Sequence, residues 1–236
     1  MKARKLFASL LTAAMLTCTT SAAFACVHGM EMDVNDEETE SIYTAEDAFY
    51  DGDYRKTVGH LLKIKPDMRK RTSKYTKAAG EDKRAYLMLA AAVVRLEGNV
   101  TLHSAAGTSI KSSKTRASNL AWATDVLEHA HKSDKDDIEA TAYLAEAYAA
   151  NPKTHDKAKT LLTGLAKDDL MADATGWSVF AKLQHADGDV DGAKASSKRC
   201  TEIARDASMC KLPALEEAKA TEADVEVKAK TAAKKS

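Results

Sequence analysis

The chain has little that would interrupt a helix. Its 236 residues include 3 prolines, and aromatics make up 6%. With Ala, Lys, Glu and Leu abundant, that scarcity points to helix throughout. It also lacks an excess of either charge: 35 basic residues stand against 35 acidic ones, which argues against whole-chain attraction to nucleic acid. No apolar run reaches the roughly 20 residues that a membrane-spanning helix needs, so no transmembrane segment is expected.

Chemical motifs are scarce as well. His60, His103, His129, His131, His155 and His185 are spread along the sequence without H-x-x-x-H spacing. Gly107 has no second glycine followed by Lys and Ser/Thr, which excludes a phosphate-cradling loop there. No nucleophile sits in a recognisable elbow, and no carboxylate pair stands out from the helical charge background. Neither catalysis nor a cofactor is expected.

The amino terminus does carry a signal. Met1 to Ala25 has a basic start at Lys2, Arg4 and Lys5, an apolar run from Leu6 to Leu16, and Ala23-Phe24-Ala25 as a small-residue cleavage site. This pattern predicts a secretory signal peptide, and therefore a periplasmic or secreted protein. Removing those three cations leaves 32 basic residues against 35 acidic, a mildly acidic exported form.

Cys18 would leave with the signal, so Cys26, Cys200 and Cys210 remain, an odd number in an oxidising compartment. Cys200 and Cys210 can bridge only if the chain doubles back after about Arg205, because ten residues of straight helix would hold them roughly 15 Å apart. The alternative is that Cys200, on an apolar stripe, is simply a small buried residue. Cys26 would be the first exported residue, where a lipid anchor could attach. A lipoprotein signal usually has an aliphatic residue three positions earlier, however, and Ala23 stands there.

Residues 26–40 are expected to form a flexible acidic spacer. Helical patterning starts near Ser41 and repeats. Thr44, Ala45 and Ala48 lead to Gly52-Asp53-Tyr54, after which Thr57, Leu61 and Ile64 continue until Pro66 stops or kinks the helix. Leu87, Ala90, Ala91 and Val94 lead to Gly98, with Ala123, Leu127 and Ala130 as a delayed partner. Thr141, Leu144, Ala145 and Tyr148 lead to Asn151-Pro152, then Ala158, Leu162 and Leu165. Trp177, Phe180, Ala181 and Gln184 lead to Gly188-Asp189, then Ala193, Ser197 and Cys200. Ala45, Ala91, Ala145 and Ala181 mark one register at intervals of 46, 54 and 36 residues, where a small side chain lets a paired helix approach closely.

On Trp177, Ala181, Gly188, Asp189 and Ala193, and on Leu144, Ala145 and Tyr148, the sequence resembles the tetratricopeptide repeat family. The resemblance covers about Ser41 to Cys210. It implies an all-α, right-handed solenoid of about four helix-turn-helix hairpins over 41–213, with a charged Ala/Lys/Glu tail at 214–236. The family's first helices line a concave surface that holds a partner peptide or helix. Carried over by register, the exposed positions of that groove are Glu46, Phe49, Met88, Arg95, Glu139, Glu146, Lys182 and His185, and the expected partner is a protein or peptide of the cell envelope.

Three further stretches stand out. The Ser/Thr/Gly/Lys-rich insertion at 99–118 reads as a surface loop. A basic segment runs from Arg55 to Arg84 and is taken first as a solvated helix face, with an anionic partner as the alternative. Cys26, His28, Met30 and Met32 alternate as soft ligands that could hold copper. They support the second functional reading, a periplasmic metal-handling protein.

Overall fold

In a computed structural model of the chain, the structure describes residues 36–70, 80–102, 112–171 and 173–212. Contacts divide the chain into Met1–Asp36 and Glu37–Ser236, and the description that follows concerns the second unit. Among the described residues there are eight α-helices and no strand: α1 Asp36–Tyr50, α2 Tyr54–Ile64, α3 Glu81–Arg95, α4 Ser113–Ser133, α5 Ile138–Ala149, α6 His155–Lys167, α7 Ala174–Ala186 and α8 Val190–Ile203. The fold is all-α. The expected signal peptide, the Cys26–Met32 cluster and the tail at 214–236 lie outside the described residues.

Aspartates start four of the helices. Asp53, Asp137, Asp173 and Asp189 precede α2, α5, α7 and α8, and each carboxylate accepts a hydrogen bond from a backbone N–H in the first turn: Lys56 at 3.1 Å, Ala140 at 2.9 Å, Thr175 at 2.8 Å and Gly192 at 2.9 Å. Such a cap satisfies a donor that the helix itself cannot, and contributes about 1 kcal/mol. α1 begins at Asp36, ahead of the expected Ser41, so the end of the predicted spacer is helical. α2 ends at Ile64, two residues before Pro66, which cannot supply the next amide donor.

The helices pack as sequence neighbours from α2 to α8, and in addition α3 touches α5 and α5 touches α7. Ala45, Ala91, Ala145 and Ala181 are all fully buried, as are Leu61, Leu127 and Leu162 on the facing helices. α1 joins the rest through Phe49, whose ring meets Tyr54 and Tyr143 edge to face, and through an ion pair between Glu46 and Arg84.

At its described ends, 99–102 and 112–118, the insertion differs from the surface loop expected of it. Ser112 caps α4, accepting from the Thr115 N–H, so the helix is already under way from Ser113 despite its Ser/Thr/Lys composition. Val100 and Leu102 are buried. Asn119, also buried, donates from Nδ2 to the carbonyls of Gly98 at 2.9 Å and Val100 at 2.8 Å, clasping the end of α3 to α4. Gly98 has φ +69°, and a Cβ there would lie 2.3 Å from the Arg116 carbonyl oxygen. Residues 103–111 lie outside the described residues.

Part of the basic segment is structurally engaged. Arg55 donates to the Asn99 carbonyl at 2.8 Å and Arg69 to the Ser118 hydroxyl at 3.0 Å. Lys65 pairs with Glu38 and Lys83 with Asp137. These cations connect separate elements of the fold, Lys83 joining α3 to the cap of α5.

After α8 the chain doubles back. A disulfide joins Cys200 and Cys210, with Cα atoms 5.6 Å apart. The 3-10 turn Ala207–Cys210 lies against α7 and α8. Ser178 donates to the Met209 carbonyl at 2.6 Å, and Ser197 donates to the Cys210 carbonyl at 2.7 Å. Leu212 packs on Ala181 and Ala193. Arg205 reaches Asp51 at 2.6 Å, joining the end of α8 to the turn between α1 and α2.

Candidate functional site

Arg95 is the last residue of α3, and its guanidinium is the centre on which α1, α2, α5 and the cap of α7 converge. Nε donates to Glu146 Oε2 at 2.9 Å and an Nη atom donates to Glu146 Oε1 at 2.8 Å, a two-pronged pairing with α5. The same Nη atom also pairs with Asp173, the residue that caps α7. Rings surround the cation: its central carbon lies 4.7 Å from the centroid of Phe49 and 5.4 Å from those of Tyr54 and Tyr143. Only 6% of the Arg95 side chain and 3% of the Glu146 side chain is exposed.

Local sequence explains how the groups arrive. Glu139, Tyr143 and Glu146 fall at i, i+4 and i+7, one face of α5. The Tyr143 hydroxyl donates to Glu139 Oε1 at 2.7 Å. Phe49 lies next to the last residue of α1 and Tyr54 opens α2, with Gly52 at φ +81° turning the chain between them.

Burial alone would lower the pKa of Arg95, but the charge of Glu146, its hydrogen bonds and the charge of Asp173 outweigh it and hold the guanidinium protonated. Burial pushes the Glu146 carboxyl up, and Arg95 draws it only partly back. Asp173 moves the other way. Burial would raise it, but Arg95 and the Thr175 N–H together hold it below the ordinary aspartate value. Tyr143 is raised by burial and then by Glu139. Tyr50 is raised by burial and then by the charges of Glu139 and Asp173, so its phenol shares their field.

The cluster therefore has a saturated interior and an open edge. Inside, Glu146 offers both oxygens to Arg95. At the edge are Tyr50, 55% exposed, Glu139, also exposed, and Asp173, whose side chain is 37% exposed. Those groups present hydrogen-bond acceptors and an aromatic face at the surface.

The sequence-predicted groove residues divide into two sets. Phe49, Arg95 and Glu146 come together, and Glu139 joins them through Tyr143. Glu46 is tied to Arg84, and Met88 is buried. Lys182 is exposed on α7, and His185 is half-buried on the same helix with Nδ1 buried and unpartnered. Neither is linked to the cluster by a hydrogen bond or ion pair among the described residues. Phe49, Met88, Arg95 and Glu146 were expected to face solvent, and that expectation is corrected: all four side chains are covered. The ends of α1, α3 and α5 meet the start of α7, and a cation drawn into that meeting point must bring counter-charges and ring faces with it.

Sequence reasoning missed Tyr50, Tyr54, Tyr143 and Asp173. Tyr143 was findable, since it lies on the same α5 face as the two glutamates. Asp173 had the local signature of a cap but nothing to signal its second role. Among the described residues no group of three His, Cys, Asp or Glu side chains could hold a metal ion, and no helix is long and apolar enough to cross a membrane. Comparison with protein-family models, with curated proteins and with solved structures finds no match.

Proposed function

We propose that the protein is an exported adaptor resembling tetratricopeptide repeat proteins, a right-handed stack of the hairpins α1–α2, α3–α4, α5–α6 and α7–α8 that binds a protein or peptide partner in the cell envelope. The observation that carries this reading is the second series of contacts: α3 touches α5 and α5 touches α7, beyond the pairing of each with its own hairpin partner. Hairpins stacked in that way present their first helices on one surface. The leader at Met1–Ala25 supports export.

On this reading the Arg95 cluster is the floor of the binding surface, and Tyr50, Glu139, Asp173 and Lys182 are its accessible part. Mixed charge around an exposed ring suits reversible recognition of an extended segment, in which main-chain groups supply affinity and a few side chains supply selectivity. Binding is expected to weaken with salt, because the charged groups lie at the exposed edge.

A photocrosslinking amino acid placed in turn at Tyr50, Glu139 and Lys182 tests the reading, with exposed Lys167 on α6 as the control. One envelope protein should be captured from all three positions and not from Lys167. Adducts no stronger at the three positions than at Lys167 would refute it.

A further inference from the structure

A disulfide is opened by a thiolate that attacks one of its sulfurs while the other leaves, so the bond reacts only where a sulfur can be reached. In the folded chain the bond is covered on both sides, since Cys200 is 0% and Cys210 2% exposed.

The two sulfurs are covered by different things. Cys200 lies in the last turn of α8, and its Sγ sits 3.2 Å from the carbonyl oxygen of Ala174, the first residue of α7. Its surroundings are the hairpin itself, and α7 and α8 must part before that atom meets solvent. Cys210 instead ends the 3-10 turn Ala207–Cys210, outside the helices. That turn is held down by the Ser178 hydroxyl on the Met209 carbonyl, by the Ser197 hydroxyl on the Cys210 carbonyl, and by Leu212 against Ala181 and Ala193.

Opening free energies within one protein run from near zero in short peripheral segments to the global value in packed helices. The turn therefore lifts far more often than α7 and α8 separate. Tethered through the bond, the lifted turn pivots about the two sulfurs, uncovering the outer one and leaving the inner one in place.

We propose that Cys210 is a gated thiol-exchange site, open to a small thiol only when residues 207–212 lift. The thiolate bonds to Cys210 Sγ and the bond to Cys200 breaks. Cys200 leaves with the electron pair and takes a proton from solvent, giving a mixed disulfide at Cys210 and a thiol at Cys200. A second thiol, or the other arm of a dithiol, then attacks the added sulfur and releases Cys210 as a thiol. The two external thiols end as a disulfide, and two electrons have passed to the cysteine pair. After the first step 204–212 is tied to α8 at one end only, so the covalent hold on the turn is conditional on the surrounding thiols. Nothing in this chemistry depends on the adaptor reading.

The test uses the full chain with its free thiols alkylated beforehand, reduced glutathione as the probe, and peptide mapping by mass spectrometry after early acid quenching. In buffer, adducts should favour Cys210 over Cys200 by at least about tenfold, because access decides which sulfur is attacked. In guanidinium chloride they should divide between the two, since each cysteine has one basic neighbour in sequence, Arg199 and Lys211. The bond should open at least about tenfold more slowly in buffer than in denaturant. Leu212→Ala should speed the reaction in buffer several-fold, as should Ser178→Ala, and neither should alter it in denaturant. Amide exchange at 208–212 should quicken once the adduct has formed. The proposal is overturned if the bond opens as fast in buffer as in denaturant, if adducts in buffer fall on Cys200 or are shared equally, or if neither substitution changes the rate.

Discussion

The Arg95 cluster and the α7–α8 end hold the chain together by opposite means. Around Arg95, residues from α1, α2, α3 and α5 and the cap of α7 meet over a buried charge, and the join depends on ionisation. At α7–α8 two alanines, a leucine and a covalent bond do the work, and charge has almost no part. The first region binds helices distant in sequence, while the second folds ten residues back on the hairpin they have just left. One should therefore fail with loss of charge, the other with loss of a bond.

The largest expected effect comes from breaking the buried pair on one side. Glu146→Ala leaves Arg95 with a partly exposed aspartate as its only counter-charge and should cost about 3–5 kcal/mol in denaturant unfolding. Arg95→Met with Glu146→Leu removes both charges and should recover most of that loss. If the double change proves as damaging as the single one, the join depends on the cation's contacts with the rings.

Next comes the bond. Cys200→Ala/Cys210→Ala should cost about 2–3 kcal/mol, the loop-closure value for so short a loop. A reductant should lower the parent by a similar amount and leave the variant unmoved. A loss that spreads to amide exchange around Arg95 would show that the two regions are not independent.

A smaller effect separates the regions by pH. Folding favours the ionised form of Asp173, held below its ordinary value of 3.8. Its contribution is thus complete above that value and is lost as the pH falls through the lower, folded one. Glu146 opposes it: a raised carboxyl pKa means that the folded chain holds the proton more tightly, so stability is gained as the pH falls through its range. Asp173→Asn keeps a capping oxygen and removes the charge. It should lower stability at neutral pH by about 0.5–1 kcal/mol, allowing for solvent screening, and the gap from the parent should close in acid. Equal gaps at pH 7 and pH 3 would assign Asp173 to capping alone.

The smallest effect is expected where the sequence separation is largest. Arg205 and Asp51 are 154 positions apart, but both side chains are mostly exposed. Arg205→Ala should change stability by about 0–1 kcal/mol, less in high salt.

The helical elements were legible because their signals are local. Ala45, Ala91, Ala145 and Ala181 repeat in one register, and Gly52-Asp53 and Gly188-Asp189 are turns whose aspartate caps the next helix. The start of α4 was obscured by composition: serine, threonine and lysine suggest a loop, while the decisive feature is one serine at the cap. The cluster was legible only in fragments. Phe49, Arg95, Glu139 and Glu146 were singled out, but periodicity gives a helix face and not its depth. Arg95 meets Glu146 across 51 positions and Asp173 across 78, distances at which sequence pattern carries no register.

Gly98 leaves a mark on how freely this chain can vary. At Gly52 and Gly188, both at φ +81°, a side chain would meet open space, and asparagine can adopt such a backbone at modest strain. At Gly98 the carbonyl of Arg116 occupies the volume that any β-carbon would need. In a library randomised at these three positions and selected for folding, the two turns should return several residues and position 98 only glycine. The chain can therefore drift at its corners but not where α3 hands over to α4.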